Sequence, residues 1–251
     1  MIQLHLGDCL DIFPTLEAGS IDAIVTDPPY CSGGFSEAQR TRANGQGLRS
    51  ETIKRDGWFI GDNMGTAGLT WLLRIIAFES FRIVKPTGSL LVFCDWRMLS
   101  TLQPAIESAG LRYQALIVWD KGSMGLGTGF RSQHELVMHF TYGSPVYHNQ
   151  SLGNVLKCGR QTEREHQTQK PEELLAALCS VVCPKGGTLF DPFMGSGTTG
   201  VVAVQNGMSF IGAERDTENY AIAEKRINDA EPMNRPLFKA RNQTPLFAST
   251  E

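Results

Sequence analysis

Two short runs hold residue types suited to chemistry. Asp27-Pro28-Pro29-Tyr30 joins a carboxylate, two prolines and an aromatic ring; Asp191-Pro192-Phe193-Met194-Gly195-Ser196-Gly197-Thr198 joins an acid to a glycine-rich turn. Proline fixes φ and donates no hydrogen bond, so paired prolines stiffen a strand exit and release nearby carbonyls from pairing. Such a loop presents acceptors rigidly. The Asp27 carboxylate and the Pro28 carbonyl can take both hydrogens of an aromatic exocyclic amine, drawing its lone pair out of ring conjugation. Tyr30 offers a flat face of the kind that holds a flipped or single-stranded base. Taken alone, the tetrapeptide reads equally well as a structural turn.

The second run continues to Gly200 and spells G-x-G-x-x-G, with Glu214 standing 19 residues beyond Gly195. Glycines let backbone approach a ligand closely, and an acid ending the next strand can accept hydrogen bonds from ribose hydroxyls. The spacing fits the dinucleotide fingerprint but does not choose between NAD and S-adenosylmethionine. A P-loop is disfavoured, because no lysine follows the glycines.

These residues need elements to position them. Leu4–Leu6 and Ile21–Thr26 read as strands around a helical turn near residues 10–16, and the second strand runs straight into Asp27. Residues 31–66 are rich in Gly, Ser, Arg and Asn without a period; a loop that long in a compact domain implies a role beyond connection. A helix is predicted over 67–84, with Leu69, Leu72, Leu73, Ile76 and Phe81 on its apolar stripe and Pro86 and Gly88 closing it. Strand 89–94, helix 98–108 and strand 113–119 follow, then a hairpin of 135–141 with 145–147 about a Tyr142-Gly143-Ser144 turn. Pro171 opens a helix with Leu174, Leu178 and Val181 inside, and Glu172 and Glu173 complement its positive end. Strand 188–190, helix 198–205, strand 209–213 and helix 218–227 complete a βαβα unit. Strands alternating with helices predict an α/β fold with a doubly wound, mainly parallel sheet.

With 251 residues the chain can bury a substantial core as one α/β domain with insertions. Its apolar runs, such as Leu90–Cys94, are far shorter than the ~20 residues of a membrane span. With no secretory pattern at the N-terminus, a cytoplasmic location and no membrane association are expected. The six cysteines, 9, 31, 94, 158, 179 and 183, form no C-x-x-C pair, so reduced structural thiols are expected. His134 and His139 lie five apart, which suits no metal-binding helix pattern, and no metal site is expected. The net charge of −3 is not that of a strongly basic nucleic-acid binder. Local basic groups do occur at Arg40, Arg42, Arg49, Lys54 and Arg55, and at Lys157, Arg160, Arg164 and Lys170, although each also reads as solvated loop charge.

With both motifs in hand, the chain resembles the amino-group DNA methyltransferases, which move a methyl group from S-adenosylmethionine to adenine N6 or cytosine N4. The target-amine motif precedes the cofactor motif, which is similar to the circularly permuted order of the family's beta group. The resemblance implies a Rossmann-like methyltransferase sheet and a single domain over 1–230, followed by a polar tail, 231–251. It also implies that Asp8, after the strand holding Leu4–Leu6, contacts the cofactor adenine. His166-Gln167-Thr168-Gln169-Lys170-Pro171 resembles the family's His-Pro-Thr-Gln-Lys-Pro element beside the cofactor's methionine part, with Gln167 in place of the proline. Phe210–Glu214, with Tyr220, Ala223 and Arg226, resembles the acidic strand and the helix after it.

The implied catalytic set is Asp27, Pro28, Pro29 and Tyr30. The implied cofactor set is Asp8, Lys170, Pro171, Asp191, Pro192, Phe193, Gly195, Ser196, Gly197, Thr198 and Glu214. Transfer would be a direct displacement with no covalent enzyme intermediate, leaving Cys31 incidental. Asp at the first motif position is commoner in the adenine-N6 members, so adenine in DNA is the preferred target and cytosine N4 the alternative. Residues 142–167 would be a short target-recognition segment sharing DNA contact with 31–66, and a partner subunit, as in a homodimer, would complete the DNA clamp. Three other readings compete: an RNA or protein-amide N-methyltransferase, a nicotinamide-dependent oxidoreductase that leaves Asp27–Tyr30 idle, and a non-catalytic nucleic-acid-binding module.

Overall fold

The computed structural model describes residues 1–29, 65–126, 128–159 and 170–233. In chain order the elements are β1 (Ile2–Leu6), α1 (Cys9–Ile12) with a 3-10 turn (Phe13–Thr15), β2 (Ile21–Thr26), α2 (Gly65–Ile83), β3 (Val84–Cys94), α3 (Leu99–Glu107), β4 (Arg112–Asp120), β5 (His134–Thr141), β6 (Val155–Lys157), α4 (Glu172–Val182), β7 (Thr188–Asp191), α5 (Thr198–Gln205), β8 (Ser209–Glu214) and α6 (Thr217–Asn228). Among the described residues the strands form one eight-stranded sheet in the order β1-β8-β7-β2-β3-β5-β4-β6. Its pairs are parallel except where β5 meets β3 and β4, so β5 alone runs against the rest.

Helices cover both faces. Ile24, Leu90, Val92 and Cys94 pack with α2 and α3 on one side, while Ala23, Val25, Leu91 and Phe93 pack with α4, α5 and α6 on the other. Successive strand residues point to opposite faces, so a strand buried on both reads as an unbroken apolar run. That is the origin of the run Leu90–Cys94.

Several expectations shift in detail. The stripe of α2 continues through Ala77, Ser80 and Ile83, whereas Phe81 is 40% exposed and lies against the Tyr142 ring at 4.6 Å. Five residues past Ile76 is about 140° around a helix, off its buried face. β3 starts at Val84, because a register shift lets Pro86–Gly88 bulge from the ladder with β2. The stripe of α4 is also broader than expected, taking in Leu175, Ala176, Ala177, Cys179 and Val182, with Val181 only half-buried. The antiparallel hairpin is present, but it joins β4 to β5 rather than 135–141 to 145–147. After Thr141 the chain turns along the start of β3, where the Ser144 and Val146 N–H groups donate to the Pro86 and Thr87 carbonyls at 3.0 and 2.9 Å, and then passes to α4, where the His148 N–H donates to the Val181 carbonyl at 2.9 Å.

β6, which the sequence pattern did not suggest, falls within 142–167 and pairs with β4 at the sheet edge, and the Trp119 indole donates to the Cys158 carbonyl at 2.8 Å. Part of the expected target-recognition segment is thus built into the scaffold. Residues 160–167, nearly all of 31–66 and all of 234–251 lie outside the described residues. Cys9, Cys94, Cys158, Cys179 and Cys183 are buried and form no disulfide. Burial pushes the Cys9, Cys94 and Cys183 thiols up to about 12 and Cys158 to about 11. His139 is likewise buried, 3.0 Å from the Ser89 hydroxyl, and burial pushes it down to about 4. His134 is exposed at the start of β5. Among the described residues no helix is long and apolar enough to cross a membrane.

Candidate active site

The sheet has a topological switch point. From β7 the chain crosses through α5 to β8 on one side, and from β2 it crosses to β3 on the other, while β7 and β2 are themselves neighbours. In open α/β sheets ligands sit outside the carboxyl ends of strands at such a point. Asp27 follows β2, Asp191 ends β7, Glu214 ends β8 and Gly7-Asp8 follow β1, so residues remote in sequence meet along one edge.

One hydrogen bond ties the two motifs together. The Thr26 hydroxyl donates to Asp191 Oδ1 at 2.8 Å across 165 residues of sequence. The Thr199 hydroxyl donates to Asp191 Oδ2 at 2.8 Å, and the Phe193 N–H to Oδ1 at 3.1 Å. Asp191 is therefore the knot that folds the glycine turn against β2. Burial is the largest influence on this carboxyl and pushes it up to about 7; the three donors oppose the shift and the charge of Asp27 adds to it. Pro192 is buried, and Phe193 is half-buried against the core.

The glycines of the turn have different jobs. A Cβ on Gly197 (φ +79°) would sit 2.8 Å from Ala223 Cβ, and one on Gly200 would collide with Ile227 and approach the Phe210 ring to 2.7 Å. These two permit close packing of α5 against α6 and β8. Gly195 (φ +51°) has nothing among the described residues within 4 Å of its would-be Cβ, so among them its left-handed backbone borders open space at the strand ends. The cradle fits a ligand laid against bare backbone.

Glu214 closes the turn from the next strand, accepting the Gly195 N–H at 3.0 Å and the Asp216 N–H at 2.8 Å. Burial raises its carboxyl above the ordinary range against these donors. The Ser196 and Thr198 hydroxyl oxygens accept from the Arg226 guanidinium at 3.3 and 3.2 Å, and Arg226 also donates to the Ser196 carbonyl at 2.6 Å. Asp8 is exposed and caps α1, accepting the Leu10 N–H at 3.0 Å, while the Gly7 N–H donates to the Glu214 carbonyl at 2.9 Å. Asp8 and Glu214 thus end neighbouring strands on one side of the turn.

On the β2 side, Pro28 is buried and Pro29 half-buried; Tyr30 lies outside the described residues. Lys170 Nζ is 2.6 Å from Asp27 Oδ2, so this lysine stands on the amine-motif carboxylate, while Pro171 caps α4. Asp27 Oδ1 is buried and, among the described residues, accepts no hydrogen bond. A second carboxylate, Glu135 at the start of β5, lies 3.2 Å from Lys170 Nζ and also pairs with Lys121. No motif marks Glu135 or Lys121, Thr26 precedes the first motif, and Thr199 fills an unspecified position of the glycine run.

A family model described as DNA methylase matches residues 21–225. Type II methyltransferase M.HinfI of Haemophilus influenzae is 28% identical over 255 residues, covering 90% of this chain and 68% of its own. The crystal structure of an M1.HpyAVI–SAM complex matches in fold with a TM-score of 0.65 at 23% identity, over 91% of this chain and all of that one. PvuII DNA methyltransferase, described as cytosine-N4-specific, matches with a TM-score of 0.69 at 17% identity, over 90% of this chain and 86% of its own.

Proposed function

The chain belongs to the N6/N4 DNA methylase family, and from that membership we propose that it transfers a methyl group from S-adenosylmethionine to the N6 amino group of adenine in DNA. The observation that carries this reading is the Asp27 carboxylate, with one oxygen held by Lys170 and the other buried with no donor among the described residues. A buried acceptor without a donor is costly, and a target amine would satisfy it.

When bound, S-adenosylmethionine supplies an electrophilic methyl group. Gly195 backbone, Glu214 and Asp8 are the residues that would hold it, with Asp191 shaping the turn beneath. Asp27 Oδ1 and the Pro28 carbonyl accept the two amine hydrogens, keep the lone pair on nitrogen and stabilise the positive charge that grows there as its new bond forms. The proline frame holds these acceptors in place, so little reorganisation is needed during the step. Tyr30 supplies the stacking face. As the nitrogen–methyl bond forms, the methyl–sulfur bond would break with S-adenosylhomocysteine as the leaving group; the amine proton would then pass to solvent, and no covalent bond to the protein forms.

Adenine is preferred because Asp, not Ser, opens the amine motif. Cytosine N4 is the second reading, favoured by the fold match to a cytosine-N4-specific enzyme. The same reading assigns one catalytic domain over 1–230, a second copy of the chain completing the DNA clamp, and a cytoplasmic location. The test is incubation with labelled S-adenosylmethionine and unmethylated duplex DNA, followed by mass spectrometry of the nucleosides. N6-methyladenine is expected; N4-methylcytosine would correct the base. Asp27→Ala is expected to bind S-adenosylhomocysteine normally and lose at least ~100-fold in turnover, the scale of a lost charge-stabilising group. Near-normal turnover in that variant would refute the site.

A further inference from the structure

The Asp27–Lys170 pair does not stand alone. Lys170 Nζ also lies 3.2 Å from Glu135 Oε2 and 5.0 Å from the centroid of the Phe93 ring, and Glu135 Oε1 pairs with Lys121 Nζ. Lys121 in turn sits 4.9 Å from the Trp119 ring centroid. Asp27, Lys170, Glu135 and Lys121 thus form a row of alternating charge leading away from the site. Its members come from the ends of β2 and β4, the start of β5 and the approach to α4.

The reversed direction of β5 makes this row possible. A parallel strand brings its last residues to the carboxyl edge, whereas β5 brings its first, with Glu135 opposite Trp119. A carboxylate at the beginning of the strand therefore reaches the same edge as Asp27.

A lysine ammonium on a flexible four-carbon stem is a rotatable point charge. With Asp27 as its sole anion, Lys170 could bridge both carboxylate oxygens or leave the site. Glu135 Oε2, 3.2 Å away as an ion-pair partner rather than a hydrogen-bond acceptor, draws the ammonium from a second side and the Phe93 ring lies on another, with Lys170 on Oδ2 and Oδ1 without a donor among the described residues. We propose that Glu135, backed by Lys121, is a positioning residue for methyl transfer that fixes Lys170 on Asp27 Oδ2 and so reserves Oδ1 for the target amine. This rests on the reading of Asp27 as the amine acceptor. It also assigns Lys170 to the amine half of the site rather than to the cofactor half.

The charge states agree with the geometry. Burial alone would raise the Glu135 carboxyl, but Lys170 and Lys121 overcome it and hold the group below its ordinary range. Burial alone would lower Lys170, but Asp27 and then Glu135 overcome it and hold the ammonium charged.

The experiment compares Glu135→Gln, Lys121→Met and Asp27→Asn with wild type. Methyl transfer to duplex DNA is read in a single turnover, KM for DNA in the steady state, and S-adenosylhomocysteine affinity by calorimetry. Glu135→Gln is expected to lower the transfer rate at least tenfold, leave S-adenosylhomocysteine affinity within twofold, and change KM little. Lys121→Met is expected to show the same pattern at about a third of the logarithmic effect. A purely structural role would instead lower the transfer rate and the cofactor affinity, raise KM and reduce the folded fraction. Parallel losses of cofactor affinity and rate, or a Glu135→Gln rate within twofold of wild type, would overturn the proposal. If Glu135→Gln does not fold, Lys121→Met decides, and an unchanged rate there overturns it. Asp27→Asn separates the two layers: an active Asp27→Asn defeats the amine-site reading itself, whereas an inactive Asp27→Asn beside an unaffected Glu135→Gln defeats only the positioning role.

Discussion

Alanine at Gly195 and at Gly197 separates ligand contact from packing within one turn. Both residues sit in the left-handed region, at φ +51° and +79°, so each substitution carries the same backbone strain of ~1–2 kcal/mol. They differ in what the new methyl group meets. At Gly197 it would lie 2.8 Å from Ala223 Cβ, 2.9 Å from Ala223 Cα and 3.0 Å from Ile227 Cδ1, two of them atoms that cannot rotate away. Overpacking of this kind costs a further ~1–3 kcal/mol. At Gly195 nothing among the described residues lies within 4 Å, so strain is the folding cost they impose. At about 2–4 °C per kcal/mol for a chain this long, Gly195→Ala should lower Tm by ~2–8 °C and Gly197→Ala by ~4–20 °C.

Ligand binding should rank them the other way. A methyl group projecting into the open space above Gly195 displaces anything laid on that backbone, and a loss of at least ~1.4 kcal/mol, or tenfold in Kd, is expected for S-adenosylhomocysteine. Gly197→Ala should change Kd less than about threefold at a temperature where it is folded, since its methyl group points into the packing with α6. Thermal unfolding and calorimetric titration of the same three preparations measure both axes. Wild-type affinity in Gly195→Ala would refute the placement of the cofactor against this turn.

The remaining predictions concern Asp191, His139 and Glu214. Asp191 is pushed up to about 7 in the fold from about 3.9 unfolded, so its contribution to stability is greatest below pH 4 and is lost as pH rises through 7, on the order of 4 kcal/mol in all. His139, pushed down to about 4, has the opposite sense, with stability present above pH 6.5 and lost as pH falls through 4. The unfolding free energy of wild type minus that of Asp191→Asn should therefore fall between pH 5 and pH 8, and a flat difference in urea titrations would contradict the assignment. Glu214→Ala removes the acceptor for the Gly195 and Asp216 N–H groups. Hydrogen bonds to charged groups are worth ~1.5–3 kcal/mol, so S-adenosylhomocysteine affinity should drop ~10–100-fold by calorimetry.

Much of the molecule was legible in the chain because its signals are local. Apolar runs bounded by turns mark strands covered on both faces, and the pattern from Thr188 to Ile227 reproduces β7, α5, β8 and α6 within a residue or so. The motif Asp27-Pro28-Pro29 and the glycine turn are contiguous, so their chemistry could be read before any fold was known. The 145–147 strand failed because a turn followed by β-formers also suits a chain that crosses the β3 bulge, and the Val146–Thr87 and His148–Val181 hydrogen bonds that hold it there are not local. β6 gave no signal because three residues at an edge, with only Leu156 buried, have no usable period.

Residue types and their spacing along the chain determined which side chains could hold an amine and which backbone could approach a cofactor. Only the tertiary structure decided that Thr26 reaches Asp191, that Gly197 and Gly200 serve packing while Gly195 faces open space, and that Lys170 stands on Asp27. Glu135 is the clearest case: a lone glutamate after a loop acquires a place in the site because β5 runs backwards. Strand direction is set by which neighbours bury its two faces, a property of the whole sheet that no window of sequence contains.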